Sequence, residues 1–203
     1  MRVIAVSRRD PEPQAIEEAA DAIQEGLLVI VPTDTVYGLC ASPHCRDALA
    51  KVYEVKNRPE GVPLALIVSN LDEVWKLTQG LSATPAQVMR EQLPGPVTFV
   101  APRSPETPAG VAPGLATIAI RLPDCKVARA IAARIGPYAA TSANLTGEAA
   151  PIALADVSAP ITSRVGLALD AGPCPVGRPS AVVDLTGDAP VVLRSGPGWE
   201  TLA

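Results

Sequence analysis

The side chains able to do chemistry in this chain stand where apolar runs end. Residues 27–31 are wholly apolar and lead into Pro32-Thr33-Asp34-Thr35-Val36-Tyr37-Gly38-Leu39. Pro32 stops the run. The hydroxyls of Thr33 and Thr35, with free backbone N–H groups, then face the space beyond a strand end, where α/β sheets hold ligands. The same residues also suit an ordinary turn in which Thr33 or Asp34 caps the next segment. Lys56 and Arg58 follow a helical stretch. Positive charge is favoured at a helix C-terminus, and two cations one residue apart can equally clamp a polyanion such as a triphosphate. Arg121 closes the run 117–120 directly before Leu122-Pro123. A guanidinium leaving such a strand takes a carboxylate or phosphate into its fork, from a ligand or from a buried Asp.

Two further strand ends repeat the pattern. Tyr138-Ala139-Ala140-Thr141-Ser142-Ala143-Asn144 carries small polar groups into a turn ending at Gly147, and its alanines leave the backbone open to close approach. These groups could hold a phosphate or an adenine edge, or simply make the turn. Ser180 opens the run 181–185, and Arg194 closes the run 191–193. Proton-shuttling side chains are scarce by contrast. His44 is the single histidine, no serine lies in a GxSxG elbow, and neither GxxxxGK[ST] nor GxGxxG occurs. A Ser-His-Asp hydrolase and the common nucleotide-binding loops are thereby excluded. Cations and hydroxyls without a histidine suit a reaction run by positioning and by stabilising phosphate charge.

Alternating helical and strand patterns must carry these groups. Strands are expected at 2–6, 27–31, 64–68, 97–101, 117–122, 138–141, 165–169, 181–185 and 191–194, and helices at 14–25, 46–55, 71–77, 85–93 and 126–135. Some strands follow each other too closely for a crossover helix, so the fold class is α/β, with a mixed sheet and helices against it. Of the residues, 48% are hydrophobic and only 3% aromatic, which implies a core of Val, Ile, Leu and Ala. No apolar run is long enough to span a membrane, and two arginines follow a short apolar N-terminus, so a cytoplasmic location is expected. The net charge of −4 argues against nucleic-acid binding by phosphate neutralisation as the main task. Cys40, His44 and Cys45 lie close together, but no second Cys/His pair follows. The four cysteines therefore read as reduced, mostly buried thiols, with no metal site expected.

In order and spacing, the 32–39 segment, Lys56-x-Arg58, Pro94-Gly95-Pro96-Val97-Thr98, Ile120-Arg121-Leu122-Pro123, Thr141-Ser142-Ala143-Asn144 and Leu193-Arg194-Ser195-Gly196 resemble the YrdC/Sua5 family. The resemblance covers nearly the whole chain. It implies a twisted, mixed open sheet with a central cavity. It also implies the reaction: L-threonine and bicarbonate form a carbamate that attacks the α-phosphate of ATP, giving threonylcarbamoyl-AMP and pyrophosphate for tRNA modification. By position, Thr33, Thr35, Arg121 and Ser180 correspond to threonine contacts, with Ala143 contributing backbone. Lys56, Arg58, Thr117, Thr141, Ser142, Asn144 and Arg194 correspond to ATP contacts. Among these, Lys56, Arg58, Ser142 and Asn144 would lie beside the reacting groups. Mg²⁺ would bridge phosphates without a protein cage, and a separate tRNA-modifying machinery would take the product.

Many relatives carry a histidine where this chain has Ile67. The chain ends at Ala203, which corresponds to a single domain over 1–203 without the second C-terminal domain of longer relatives. Two rival readings remain. One is carbamoyl-AMP synthesis from carbamoyl phosphate, as in similar domains of hydrogenase-maturation proteins. The other is an RNA-binding module with a basic cavity, whose weaker form is weak tRNA binding beside the synthase reaction.

Overall fold

The apolar runs become the inner strands of one ten-stranded sheet in a computed structural model, described here over residues 1–59 and 61–200. In chain order the strands are β1 (Arg2–Ala5), β2 (Val29–Val31), β3 (Gly38–Ala41), β4 (Ala65–Ile67), β5 (Val97–Pro102), β6 (Thr117–Arg121), β7 (Tyr138–Ser142), β8 (Leu167–Asp170), β9 (Ala181–Asp184) and β10 (Val191–Arg194). They lie in the order β1-β8-β2-β3-β7-β4-β6-β5-β9-β10. The pairs β1/β8, β2/β8, β4/β6 and β5/β9 are parallel and the other five antiparallel, so the sheet is mixed as expected.

The helices are α1 (Pro13–Gln24), α2 (Arg46–Lys56), α3 (Leu71–Leu77), α4 (Ala83–Gln92), α5 (Lys126–Ile135) and α6 (Ala159–Thr162). In α1, Pro13 needs no intrahelical N–H partner at the first turn, and Ala15, Ile16, Ala19, Ala20 and Ile23 are buried at helical spacing. Strand alternation divides the core in two. Val29, Val31 and Cys40 join α1 and α5 on one face, while Ile30, Leu39 and Ala41 join α2 on the other.

The face bearing α1 and α5 is only partly covered. α1 packs on β8, β2 and β3, and α5 packs on α1 and β4. Beyond them, Ala65, Ala119, Ala140, Val100 and Val182 floor an open cavity. Alanines on three neighbouring strands keep that floor low.

Residues 38–41 form a strand that the sequence pattern does not reveal. Leu39 and Ala41 alternate with Cys40 across the sheet. That alternation is obscured in sequence by Gly38 and by the nearby Cys40, His44 and Cys45. The short helix α6 was likewise unforeseen. Cys40, Cys125 and Cys174 are buried free thiols, and Cys45 is half-buried. Among the described residues, no helix is long and apolar enough to cross a membrane.

Candidate active site

The turn between β2 and β3 is built around the hydroxyl of Thr33. Its Oγ1 accepts from the backbone N–H of Thr35 (3.1 Å) and Val36 (3.2 Å), donates to the Val36 carbonyl (2.6 Å) and lies 3.0 Å from Thr35 Oγ1. Thr33 lines the cavity, whereas Thr35 is wholly buried behind it. The turn reading of this segment therefore holds for the Thr33 hydroxyl, while the residue also borders the cavity.

The turn aims Asp34 at Arg121, the last residue of β6. Arg121 Nη2 donates to Asp34 Oδ1 at 2.5 Å, with both side chains nearly buried. The buried Asp partner envisaged for Arg121 is thus Asp34. Burial raises the Asp34 carboxyl above its usual range, and the Arg121 charge only partly opposes this. Among the described residues, Arg121 Nε and Asp34 Oδ2 are buried without a hydrogen-bond partner. Arg121 nevertheless borders the cavity, and a guanidinium there is suited to a carboxylate ligand.

Opposite stands Ser180, whose Oγ lies 2.9 Å from Thr98 Oγ1. Arg194 closes the same corner by donating through Nε (3.1 Å) and Nη2 (2.7 Å) to the Ser180 carbonyl. Arg58 donates to the carbonyls of Val62 (3.3 Å) and Pro63 (3.0 Å). Burial lowers the affinity of Arg194 for its proton, and the charges of Arg121 and Arg58 lower it further. Three guanidiniums thus border one cavity of about 470 Å³. Glu148 is the only carboxylate among its described lining residues. Such a field favours an anion.

Lys56 and Arg58 part company at Asn57, which closes α2 in the left-handed conformation with φ 49°. Arg58 lines the cavity. Lys56 turns beneath it, 2% exposed, with Nζ donating to the carbonyls of Ser142 and Asn144. Desolvation lowers the Lys56 pKa to about 8, the Arg58 charge adds to the shift, and Glu148 opposes it. Lys56 therefore supports the site through the backbone carbonyls of Ser142 and Asn144 and does not line the open volume.

Thr141, Ser142 and Asn144 do line the cavity. Asn144 Nδ2 donates to the carbonyls of Leu145 and Glu148, both at 2.8 Å, which leaves Oδ1 buried and unpaired. Ala143 is buried, and its N–H already donates to the Tyr37 carbonyl at 2.9 Å. Thr117 begins β6 outside the cavity lining, two residues before Ala119 on the same strand face. Ile67 lines the cavity beside Arg121.

Sequence reasoning missed Thr98 and Glu148. Thr98 was visible only as part of the Pro-Gly-Pro-Val-Thr motif. Glu148 follows Asn144 by four residues, and turn chemistry alone gave it no role. Among the described residues, no three His, Cys, Asp or Glu side chains gather as a metal site.

A family model, Sua5/YciO/YrdC, described as telomere recombination, matches residues 21–196. The chain belongs to this family. The Sua5/YciO/YrdC fold is seen in Pyrococcus abyssi Sua5 complexed with L-threonine, with a TM-score of 0.87 and 33% identity over 96% of this chain and 57% of that one. It is seen again in Escherichia coli YciO, with a TM-score of 0.87 and 25% identity over 98% of this chain and 97% of that one. A Bacillus subtilis relative named threonylcarbamoyl-AMP synthase is 36% identical over 94% of this chain and 55% of its own length. The chain therefore spans little more than half of the Bacillus and Pyrococcus proteins.

Proposed function

We propose that this chain is an L-threonylcarbamoyladenylate synthase. The observation that carries the reading is the convergence of Arg58, Arg121 and Arg194 on one cavity. The similarity to relatives named for this activity supports it.

In this reading threonine occupies the end lined by Thr33, Arg121 and Ser180. Its carboxylate meets the cavity-facing part of Arg121, whose Nη2 is held by Asp34. The Thr33 hydroxyl is committed to its turn, so Thr33 and Thr35 act by shaping the pocket. The Ala143 N–H is also committed, which leaves its carbonyl as the backbone contact. ATP lies toward Arg58, Thr141, Ser142, Asn144 and Arg194, with Thr117 at the strand edge beyond. Lys56 holds the 142–144 turn beneath the phosphates.

The threonine ammonium group and bicarbonate condense to the carbamate with loss of water and a proton. A carbamate oxygen then attacks the α-phosphorus, the bond to the bridging oxygen breaks, and pyrophosphate leaves. Arg58 and Arg194 offset the charge that develops on the phosphates. Mg²⁺ arrives with ATP as part of the substrate. The product passes to a separate tRNA threonylcarbamoyl-transfer machinery in the cytoplasm, and any contact with tRNA is weak.

The deciding experiment measures pyrophosphate release from MgATP with and without threonine and bicarbonate. Release that needs both is expected. Release that ignores threonine but follows carbamoyl phosphate would reassign the domain to carbamoyl adenylation. No release, with salt-sensitive RNA binding, would reassign it to a binding module.

A further inference from the structure

Arg8 lies outside the cavity, in the loop between β1 and α1, and no motif includes it. The loop is locally fixed: Ser7 N–H donates to Glu12 Oε2 (2.8 Å), and Asp10 N–H donates to Ser7 Oγ (3.0 Å). From this base the guanidinium reaches two distant segments. Nη1 donates to the Thr33 carbonyl at 2.8 Å. Nη2 faces the carbonyls of Ala171 (3.4 Å), Gly172 (3.2 Å) and Pro173 (3.2 Å). A planar fork can satisfy carbonyls of two separate loops at once, which a single ammonium does less well.

The two segments are also laced to each other. Val176 N–H donates to the Asp34 carbonyl (3.0 Å) and Gly177 N–H to the Thr35 carbonyl (3.1 Å). The Tyr37 hydroxyl donates to the Gly172 carbonyl (2.8 Å) and accepts from Ala171 N–H (3.1 Å). The 171–177 segment runs on through Arg178 to Pro179 and Ser180, which line the cavity. Its partner segment carries Thr33 and the Asp34 that holds Arg121.

We propose that Arg8 is a positioning residue for the threonine end of the cavity, fixing the 33–35 turn against the 171–177 strap from outside the site. The proposal rests on the synthase reading for the identity of the substrate. The Arg8 fork sets where Asp34, and through it Arg121, stands, while Arg58, Thr141, Ser142 and Asn144 of the phosphate end stand on other elements. Small displacements of such a support are costly to substrate binding.

Arg8→Ala and Arg8→Lys separate this role from general stabilisation. For Arg8→Ala, the KM for threonine rises roughly tenfold, while kcat and the KM for ATP change by less than about threefold. Arg8→Lys recovers part of the threonine KM, because one ammonium reaches one loop well and the other poorly. Amide exchange measured without substrate reads the same clamp: protection at Thr35, Val36, Val176 and Gly177 falls selectively in Arg8→Ala. Unchanged protection there, or threonine and ATP KM values that rise together, overturns the proposal. A wild-type protein with no threonine-dependent release overturns the substrate assignment, whereas selective loss of protection would still establish the clamp.

Discussion

The two ends of the cavity are built on opposite principles. At the proposed threonine end, Thr33, Asp34, Thr35, Arg121 and Ser180 are all buried, and each is tied to another side chain of the same group or to Thr98. At the proposed ATP end, Arg58, Thr141, Ser142 and Asn144 are half-buried, and Arg194 is exposed apart from the guanidinium that packs on Ser180. There the cations rest on backbone carbonyls. A small zwitterion offers few contacts, so its site gains most from groups fixed in advance. A triphosphate offers several charges and can be gathered by cations that retain some freedom. Burial at one end therefore couples binding to stability, and exposure at the other separates them.

The strongest way to break this contrast is Asp34→Ala. It leaves Arg121 buried without its carboxylate, and unfolding free energy should fall by about 3–5 kcal/mol. Urea titration measures the loss. A loss below about 1 kcal/mol would show that the threonine end is not held by this pair.

Arg58→Ala addresses the open end. Pyrophosphate release should fall by roughly 10²–10³-fold, as for other charge-stabilising donors, while stability changes by less than about 1 kcal/mol. A large stability loss with modest kinetic loss would make the two ends alike.

Gly196 tests the corner where they meet. A Cβ there would collide with the Ala181 nitrogen and come within 2.8 Å of the Ser180 carbonyl carbon. Gly196→Ala should therefore cost about 1–3 kcal/mol by overpacking and raise the KM values of both substrates. A thermal melt indistinguishable from wild type would show that β10 shifts freely.

Lys56 makes the contrast sensitive to pH. Its pKa of about 8 lies below the ordinary lysine value of 10.5. Between those values the unfolded chain binds the proton that the folded protein has released, so stability rises as pH increases through that window. Lys56→Met should flatten that rise. If the slope persists in the variant, it belongs to another group.

Much of the element pattern was legible before any coordinates. Helices α3 and α5 match their expected bounds, and α1 and the strands lie within about two residues of theirs, because apolar periodicity reports burial directly. β3 was not legible, since its four residues share a segment with turn and cysteine signals that outweigh so short an alternation. Within the site, Arg58, Arg121, Ser142, Asn144, Ser180 and Arg194 all border one cavity, although they are scattered over more than 130 positions of the chain. Their motifs made them candidates. Motifs could not show that Lys56 and Arg58, one residue apart, are sent to different places by a left-handed Asn57.

By itself the sequence determined the mixed α/β class, the apolar strands and the positively charged strand ends, since these depend on local pattern and residue chemistry. Tertiary structure alone decided the order of the strands and the uncovered part of the sheet that becomes the cavity. It also decided that Asp34 meets Arg121 and that Arg8 clasps Thr33 to the 171–173 carbonyls. Those contacts join residues separated by 25, by 87 and by more than 160 positions. They arise only when non-neighbouring strands pair, which no local pattern specifies.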